Sequence, residues 1–220
     1  MQAPNAVCKN ITVNLSPAGT VTVTSADING GTTDNCTASP TLAPASTSYT
    51  CADLGANNIT MTATDAAGNT ATCVATVTVR DVTAPVITTC PASATINANA
   101  NCAGSYTPVA PVATDNCTAT TWTVSQNGAS LPVGATTFVY TVTDGSGNTA
   151  TCAQVITVVD VTKPTIACPA NISVGVDVNL CTAVVTYSIP AAFDNCAASS
   201  VARTLGYASG AAFPVGITVN

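Results

Sequence analysis

Apolar and polar residues alternate along most of this chain. Ile11-Thr-Val-Asn-Leu15 and Thr20-Val-Thr-Val-Thr24 place an aliphatic side chain at every second position. Ile59–Thr64, Thr72–Val79, Thr120–Ser125, Thr137–Thr143 and Thr149–Val159 continue the pattern. A period of two is that of a strand with one face buried. These segments are therefore predicted strands, together with Tyr106–Val109. Gly, Asn, Asp and Pro separate them. Asp65-Ala-Ala-Gly-Asn69 and Asp144-Gly-Ser-Gly-Asn148 read as hairpin turns, since Asp bonds its own backbone while Gly and Asn tolerate positive φ. Apolar runs such as Ala183–Val185 are far shorter than the roughly 20 residues of a membrane span, so no membrane insertion is expected.

The pattern repeats. Asp81-Val-Thr-Ala-Pro85 returns as Asp160-Val-Thr-Lys-Pro164, 79 residues later. Cys73 and Cys152, Cys102 and Cys181, and Cys117 and Cys196 share that spacing. Asp-Asn-Cys occurs at 34–36, 115–117 and 194–196. Thr64-Asp-Ala-Ala-Gly-Asn-Thr-Ala-Thr-Cys73 is nearly rewritten at Thr143–Cys152. Three repeats follow, at residues 3–83, 84–162 and 163–220. The third matches the second through Phe213-Pro-Val-Gly216, the counterpart of Leu131-Pro-Val-Gly134, and is expected to lack the C-terminal hairpin. The strands around Thr182–Tyr187 and Val201–Leu205 should then lack neighbours. About seven strands in some 80 residues indicate an all-β chain of tandem immunoglobulin-like sandwiches.

Composition narrows the functions. Only Lys9, Arg80, Lys163 and Arg203 are cationic, too few to neutralise a phosphate backbone, so nucleic acid is excluded as a partner. The chain has 11 Cys and no His. Without Cys-x-x-Cys pairs this is disulfide usage rather than zinc binding, which places the protein outside the cell or on its surface. Met1-Gln-Ala-Pro has neither the basic start nor the apolar core of a signal peptide, so the chain reads as a mature product or an excised segment. Without His or Glu, and with its Asp mostly in turns, the chain is not expected to be an enzyme.

Positional equivalence suggests Cys36–Cys73, Cys90–Cys102, Cys117–Cys152 and Cys168–Cys181, and by elimination Cys8–Cys51, one of three connectivities four cysteines allow. Cys196 is then odd, unpaired within the chain. Such bridges would staple small domains whose Ala, Val and Thr cores bury little area.

Seven of the ten Asp recur at equivalent positions. Two readings stay open: turn chemistry with sheet-edge protection, or Ca²⁺ ligation by hard oxygen donors. Asp81 and Asp160 at the repeat junctions, with Asp34, Asp115, Asp65 and Asp144, are the candidate ligands. No cofactor is otherwise required. Trp122 and Tyr140 could form a sugar platform, but Trp122 reads rather as a buried inter-sheet residue.

The second and third repeats resemble hyalin repeats. The shared elements are Cys90-Pro and Cys168-Pro, Cys102 and Cys181, Asp-Asn-Cys, and Leu/Phe-Pro-Val-Gly; the second adds the Thr-Asp-x-x-Gly-Asn-Thr-Ala-Thr-Cys hairpin. The first resembles a related immunoglobulin-like repeat of large Bacteroidetes surface adhesins, through Ala6-Val-Cys8-Lys-Asn10, Asp34-Asn-Cys36 and Cys51-Ala-Asp-Leu-Gly55. The resemblance implies an extracellular adhesion or matrix protein. The leading expectation is a semi-rigid spacer whose partners are neighbouring repeats or subunits of one fibre. The alternatives are a module binding surface glycans or proteins, and a filament subunit completed by a strand from another chain.

Overall fold

The structure, a computed structural model, describes residues 2–218. The alternating segments form strands as expected. In the first repeat these are β1 (Ile11–Asn14), β2 (Thr20–Thr24), β3 (Thr41–Ala43), β4 (Ser46–Thr50), β5 (Gly55–Thr64) and β6 (Thr70–Arg80), with a four-residue helix α1 (Ser25–Ile28) after β2. One sheet has the order β1-β6-β5-β3, and β2-β4 forms the second. β5 and β6 zip antiparallel from Gly55 opposite Val79 to Thr64 opposite Thr70. β1 closes the sheet parallel to β6, with Ile11 opposite Val77. Inward positions of both sheets build one core: Val23 and Tyr49 from the small sheet, Met61, Ala75, Val77 and Val79 from the large one, and Ile28 from α1. Helix α1 is capped by Asp27, whose carboxylate accepts the Thr24 N–H at 2.8 Å.

The second repeat redraws this plan with β7 (Val86–Thr89), β8 (Ala94–Asn97), β9 (Ala103–Gly104), β10 (Val112–Thr114), β11 (Thr121–Val124), β12 (Leu131–Pro132), β13 (Gly134–Thr143) and β14 (Thr149–Val159). The large sheet is β11-β13-β14-β8, with pairs β12-β9 and β10-β7. β8 lies parallel to β14, as β1 does to β6. Phe138, Tyr140, Val142, Ile156 and Val158 point inward and are fully or almost fully buried. The polar atoms of Tyr140 and Gln154 in this core are paired, as burial favours: Tyr140 Oη donates to Gln154 Oε1 at 2.8 Å, and Gln154 Nε2 to the Ala92 carbonyl at 2.6 Å.

The third repeat shows β15 (Thr165–Ile166), β16 (Thr182–Val184), β17 (Ala192–Phe193) and β18 (Ala212–Pro214). The pairs β15-β17 and β16-β18 match β7-β10 and β9-β12. No counterpart of the large sheet occurs among the described residues of this repeat; Val219 and Asn220 lie outside them. The fold is thus all-β: tandem immunoglobulin-like sandwiches held by disulfides. By internal contacts the chain divides into two compact units. One holds the chain up to Ala92 with Pro108–Asn127 and Thr137–Gln154; the other holds Ser93–Thr107, Gly128–Thr136 and the chain from Val155 on.

Several expectations are corrected. Tyr106–Val109 is not a strand: Pro108 and Pro111 cannot donate to a ladder, and the Tyr106 N–H goes to the Gly128 carbonyl instead. Thr182–Val184 does have a neighbour, β18, while Val201–Leu205 is irregular. Trp122 is 40% exposed, because β11 is an edge strand and Tyr140 fills the interior beside it, ring centroids 6.0 Å apart.

The disulfides also differ from expectation. Cys8 bonds Cys73 and Cys90 bonds Cys152, so each staple lies within one repeat. Cys51 bonds Cys117 and Cys102 bonds Cys196, so each of these crosses a repeat boundary. The pairings Cys36–Cys73, Cys90–Cys102, Cys117–Cys152, Cys168–Cys181 and Cys8–Cys51 do not form. Cys36, Cys168 and Cys181 are free and exposed, and Cys196 is bonded. The reason is geometric. A cysteine can bond only within about 7 Å of its partner's Cα. The Asp-Asn-Cys loops of the second and third repeats set their cysteines against Cys51 and Cys102 of the preceding repeat, while the strand cysteines Cys73 and Cys152 are taken by Cys8 and Cys90.

Candidate functional site

The first repeat junction lies within one compact unit and gathers three carboxylates from three turns. Asp81 follows β6, Asp115 opens the second Asp-Asn-Cys loop, and Asp144 opens the β13–β14 hairpin. One oxygen from each lies within 4.8 Å of the others. Asp81 and Asp144 are buried.

Each side chain first serves its own turn. Asp81 Oδ1 accepts the Thr83 N–H at 3.0 Å. Asp115 Oδ2 accepts the N–H groups of Cys117 and Thr118 at 2.9 and 3.1 Å. Asp144 Oδ1 accepts those of Ser146 and Asn148, both at 2.8 Å, and its Oδ2 accepts Asn148 Nδ2. Burial pushes the Asp144 carboxyl up, but the Asn148 side chain and the turn N–H groups together bring it below the usual carboxylate range. Asn148 Nδ2 also reaches the Asp81 and Thr83 carbonyls at 3.3 and 3.2 Å, tying hairpin to junction. After these bonds Asp81 Oδ2 and Asp115 Oδ1 remain buried without a hydrogen-bond partner.

Turn chemistry and cation binding are thus compatible at Asp81 and Asp115, where one carboxylate oxygen serves the turn and the other is left over, while Asp144 uses both oxygens in its own turn. Like charges at this separation repel by roughly 3 kcal/mol per pair at an effective dielectric constant near 20. A cation bound between them would reverse the sign. With only hard oxygen donors and neither thiolate nor imidazole, the set suits Ca²⁺ rather than a soft metal. A cleft of about 410 Å³ lined by Leu54, Arg80, Asp81 and Gly145 opens beside Asp81, and Asp115 and Asp144 are not in its lining.

The remaining candidates keep the same local forms. Asp34 Oδ2 accepts the Cys36 and Thr37 N–H groups, and its Oδ1 is buried without a partner. Asp65 closes its hairpin through the Ala67 and Asn69 N–H groups and Asn69 Nδ2. Asp34 sits below its ordinary range chiefly through the Cys36 N–H, and Asp65 chiefly through Asn69. In the other unit, Asp160 turns back on the Thr162 N–H and lies beside Asp194, which accepts the Cys196 and Ala197 N–H groups. Asp194 stands outside the six candidates read from the sequence, although the third Asp-Asn-Cys triplet signals it.

Beside the second and third Asp-Asn-Cys loops runs a bridge. In the first repeat, Gly19 closes the β1–β2 turn at φ +74°, and a Cβ there would lie 2.9 Å from Cys51 Sγ and 3.3 Å from the Asn116 carbonyl oxygen. The second Asp-Asn-Cys loop rests on this turn, and Cys117 joins Cys51 just after β4. In the second repeat the turn before β9 ends in Cys102, which joins Cys196 directly. Thr20 pairs with Thr50, and Ala103 with Pro132. Gly19 and Cys102 thus precede equivalent residues, while Cys51 and Val133 follow equivalent residues. The bridging thiol has moved across one rung, and its destination is the same.

A model of the HYR domain matches residues 80–158 and 159–219. Hyalin of Strongylocentrotus purpuratus is 40% identical over 99 residues, which is 43% of this chain and 8% of that protein. The chain therefore spans a small part of that relative. Among solved structures, the protocadherin GammaB4 extracellular domain is 18% identical, with TM-score 0.35 over 75% of this chain and 34% of its own. The fibronectin(III)-like modules of Clostridium thermocellum CbhA are 14% identical, with TM-score 0.29 over 72% of this chain and 94% of their own. No helix among the described residues is long and apolar enough to cross a membrane. The HYR matches cover well over half of the sequence and hold the second and third Asp-Asn-Cys loops: the chain belongs to the HYR domain family.

Proposed function

We propose that this extracellular adhesion-type chain works as a semi-rigid spacer in a surface adhesin or filament, with its repeats at residues 3–83, 84–162 and 163–220 as the units of length. The observation that carries the reading is that two disulfides, Cys51–Cys117 and Cys102–Cys196, join successive repeats. A staple within a domain stabilises that domain. A staple between domains removes hinge freedom, which is what reach demands. Asp81, Asp115 and Asp144 would hold Ca²⁺ beside the first bridge and add a second restraint. The ion would supply only charge neutralisation and oxygen coordination.

Small-angle scattering of the oxidised protein tests the spacer. The Cys51→Ser/Cys117→Ser double variant should show a broader distribution of end-to-end distances than the parent. Identical profiles would refute stiffening by the bridge. Calorimetric titration with Ca²⁺ tests the acidic site: heat in the millimolar range or tighter is expected, reduced at least tenfold in affinity by Asp81→Asn. No heat at millimolar Ca²⁺ removes the ion.

A further inference from the structure

The three free cysteines are not equivalent to one another. Cys168 matches Cys8 and Cys90, each of which bonds within its own repeat to the strand after the Gly-Asn turn. Cys36 matches Cys117 and Cys196, the Asp-Asn-Cys cysteines that both reach back to the preceding repeat. Cys181 matches Cys102, which receives the following repeat; Thr182 pairs with Pro214 as Ala103 pairs with Pro132. Cys36 is therefore the reaching half of a junction bridge and Cys181 the receiving half, and both are exposed.

We infer that Cys181 and Cys36 are complementary sites for covalent head-to-tail joining, and that the partner is another repeat of this build, presented by a second copy of this chain. The second copy carries both halves. Its Asp34 already holds the Cys36 loop in the form that Asp115 and Asp194 give the bonded loops. The joining is thiol–disulfide exchange with a low-molecular-weight disulfide as oxidant. The Cys181 thiolate attacks one sulfur of that disulfide, forming a mixed disulfide and releasing one small thiol. The Cys36 thiolate of the second copy then displaces the second small thiol. One small disulfide is reduced to two thiols as one protein disulfide forms. The inference extends the spacer reading, since it lengthens the array with the bridge already seen inside it.

The test uses the whole 220-residue chain carrying Cys168→Ser, incubated in a glutathione redox buffer and resolved without reductant. A ladder of disulfide-linked oligomers is expected, with a Cys36–Cys181 linked peptide on mapping. In that background, Cys36→Ser alone and Cys181→Ser alone should each lose the ladder. Mixing those two variants should restore a dimer and nothing longer. A ladder that survives Cys36→Ser, or monomers whose Cys36 and Cys181 stay reduced, would overturn the inference. The same maps report Cys51–Cys117 and Cys102–Cys196. If these are absent the spacer reading falls; if they are present without Cys36–Cys181, only the head-to-tail joining falls.

Discussion

The second and third repeats start from closely similar text and reach different states. In the second, the long β13–β14 hairpin supplies Phe138, Tyr140, Val142, Ile156 and Val158, all at most 1% exposed. In the third, Ala183 is the one apolar residue in the buried class among those described, while Phe193 is 66% and Leu205 75% exposed. The sandwich core is thus built by the hairpin. The small paired strands β9-β12 and β16-β18 form in both repeats, but a two-stranded pair has only one face to offer and needs a sheet to bury it against.

The largest effect expected from this difference is in the core. Phe138→Ala should destabilise the second repeat by about 3–5 kcal/mol, whereas Phe193→Ala should cost under about 0.5 kcal/mol. Denaturant unfolding of both variants checks the contrast; equal losses would mean that the third repeat has a core of its own.

Next come the staples. Replacing Cys90 and Cys152 together by Ser opens a loop whose ends are 62 residues apart and should cost about 2–4 kcal/mol. Cys168→Ser, at the equivalent but unbonded position, should leave the unfolding midpoint unchanged. A shift there would show a bond that the comparison lacks.

Gly104 sharpens the contrast at one rung. A Cβ at Gly104 would lie 2.7 Å from Val158 Cγ2 and 2.8 Å from Ile96 Cδ1, so Gly104→Ala should cost about 1–3 kcal/mol through overpacking. The equivalent residue in the third repeat is already Ala183. The reverse change, Ala183→Gly, should cost less than about 1 kcal/mol. Matching costs at the two positions would mean that close packing by Val158 does not set the choice of residue.

The smallest effect is at the cap of α1, which has no counterpart among the described residues of the third repeat. Hydrogen bonds from the Thr24 side chain and backbone hold the Asp27 carboxyl below its ordinary value of 3.8. A lowered folded-state value stabilises the protein above the unfolded value, and that contribution is lost as pH falls through the folded one. Asp27→Ala should therefore lower the melting temperature slightly at pH 7, with the gap from the parent closing below about pH 4. A gap that persists at pH 2 would place the effect outside the carboxylate's charge.

Much of this was legible in the chain itself. Val, Ile and Thr at every second position determine strands whose inner face must be covered, and Asp65–Asn69 and Asp144–Asn148 determine their turns, because these are local properties of a pleated backbone and of side chains that bond their own N–H groups. The period likewise marks Asp81, Asp115 and Asp144 as recurring positions. The disulfide partners were not legible. A bond within a repeat and a bond to the next repeat both preserve a 79-residue period, so spacing does not distinguish them. Cys51 and Cys102 occupy non-equivalent positions in the text, yet they meet equivalent partners, because antiparallel pairing sets the ends of two strands side by side. Which thiols meet, and which oxygens are left over once the turns are closed, depends on the approach of segments far apart in the chain, and only the tertiary structure decided it.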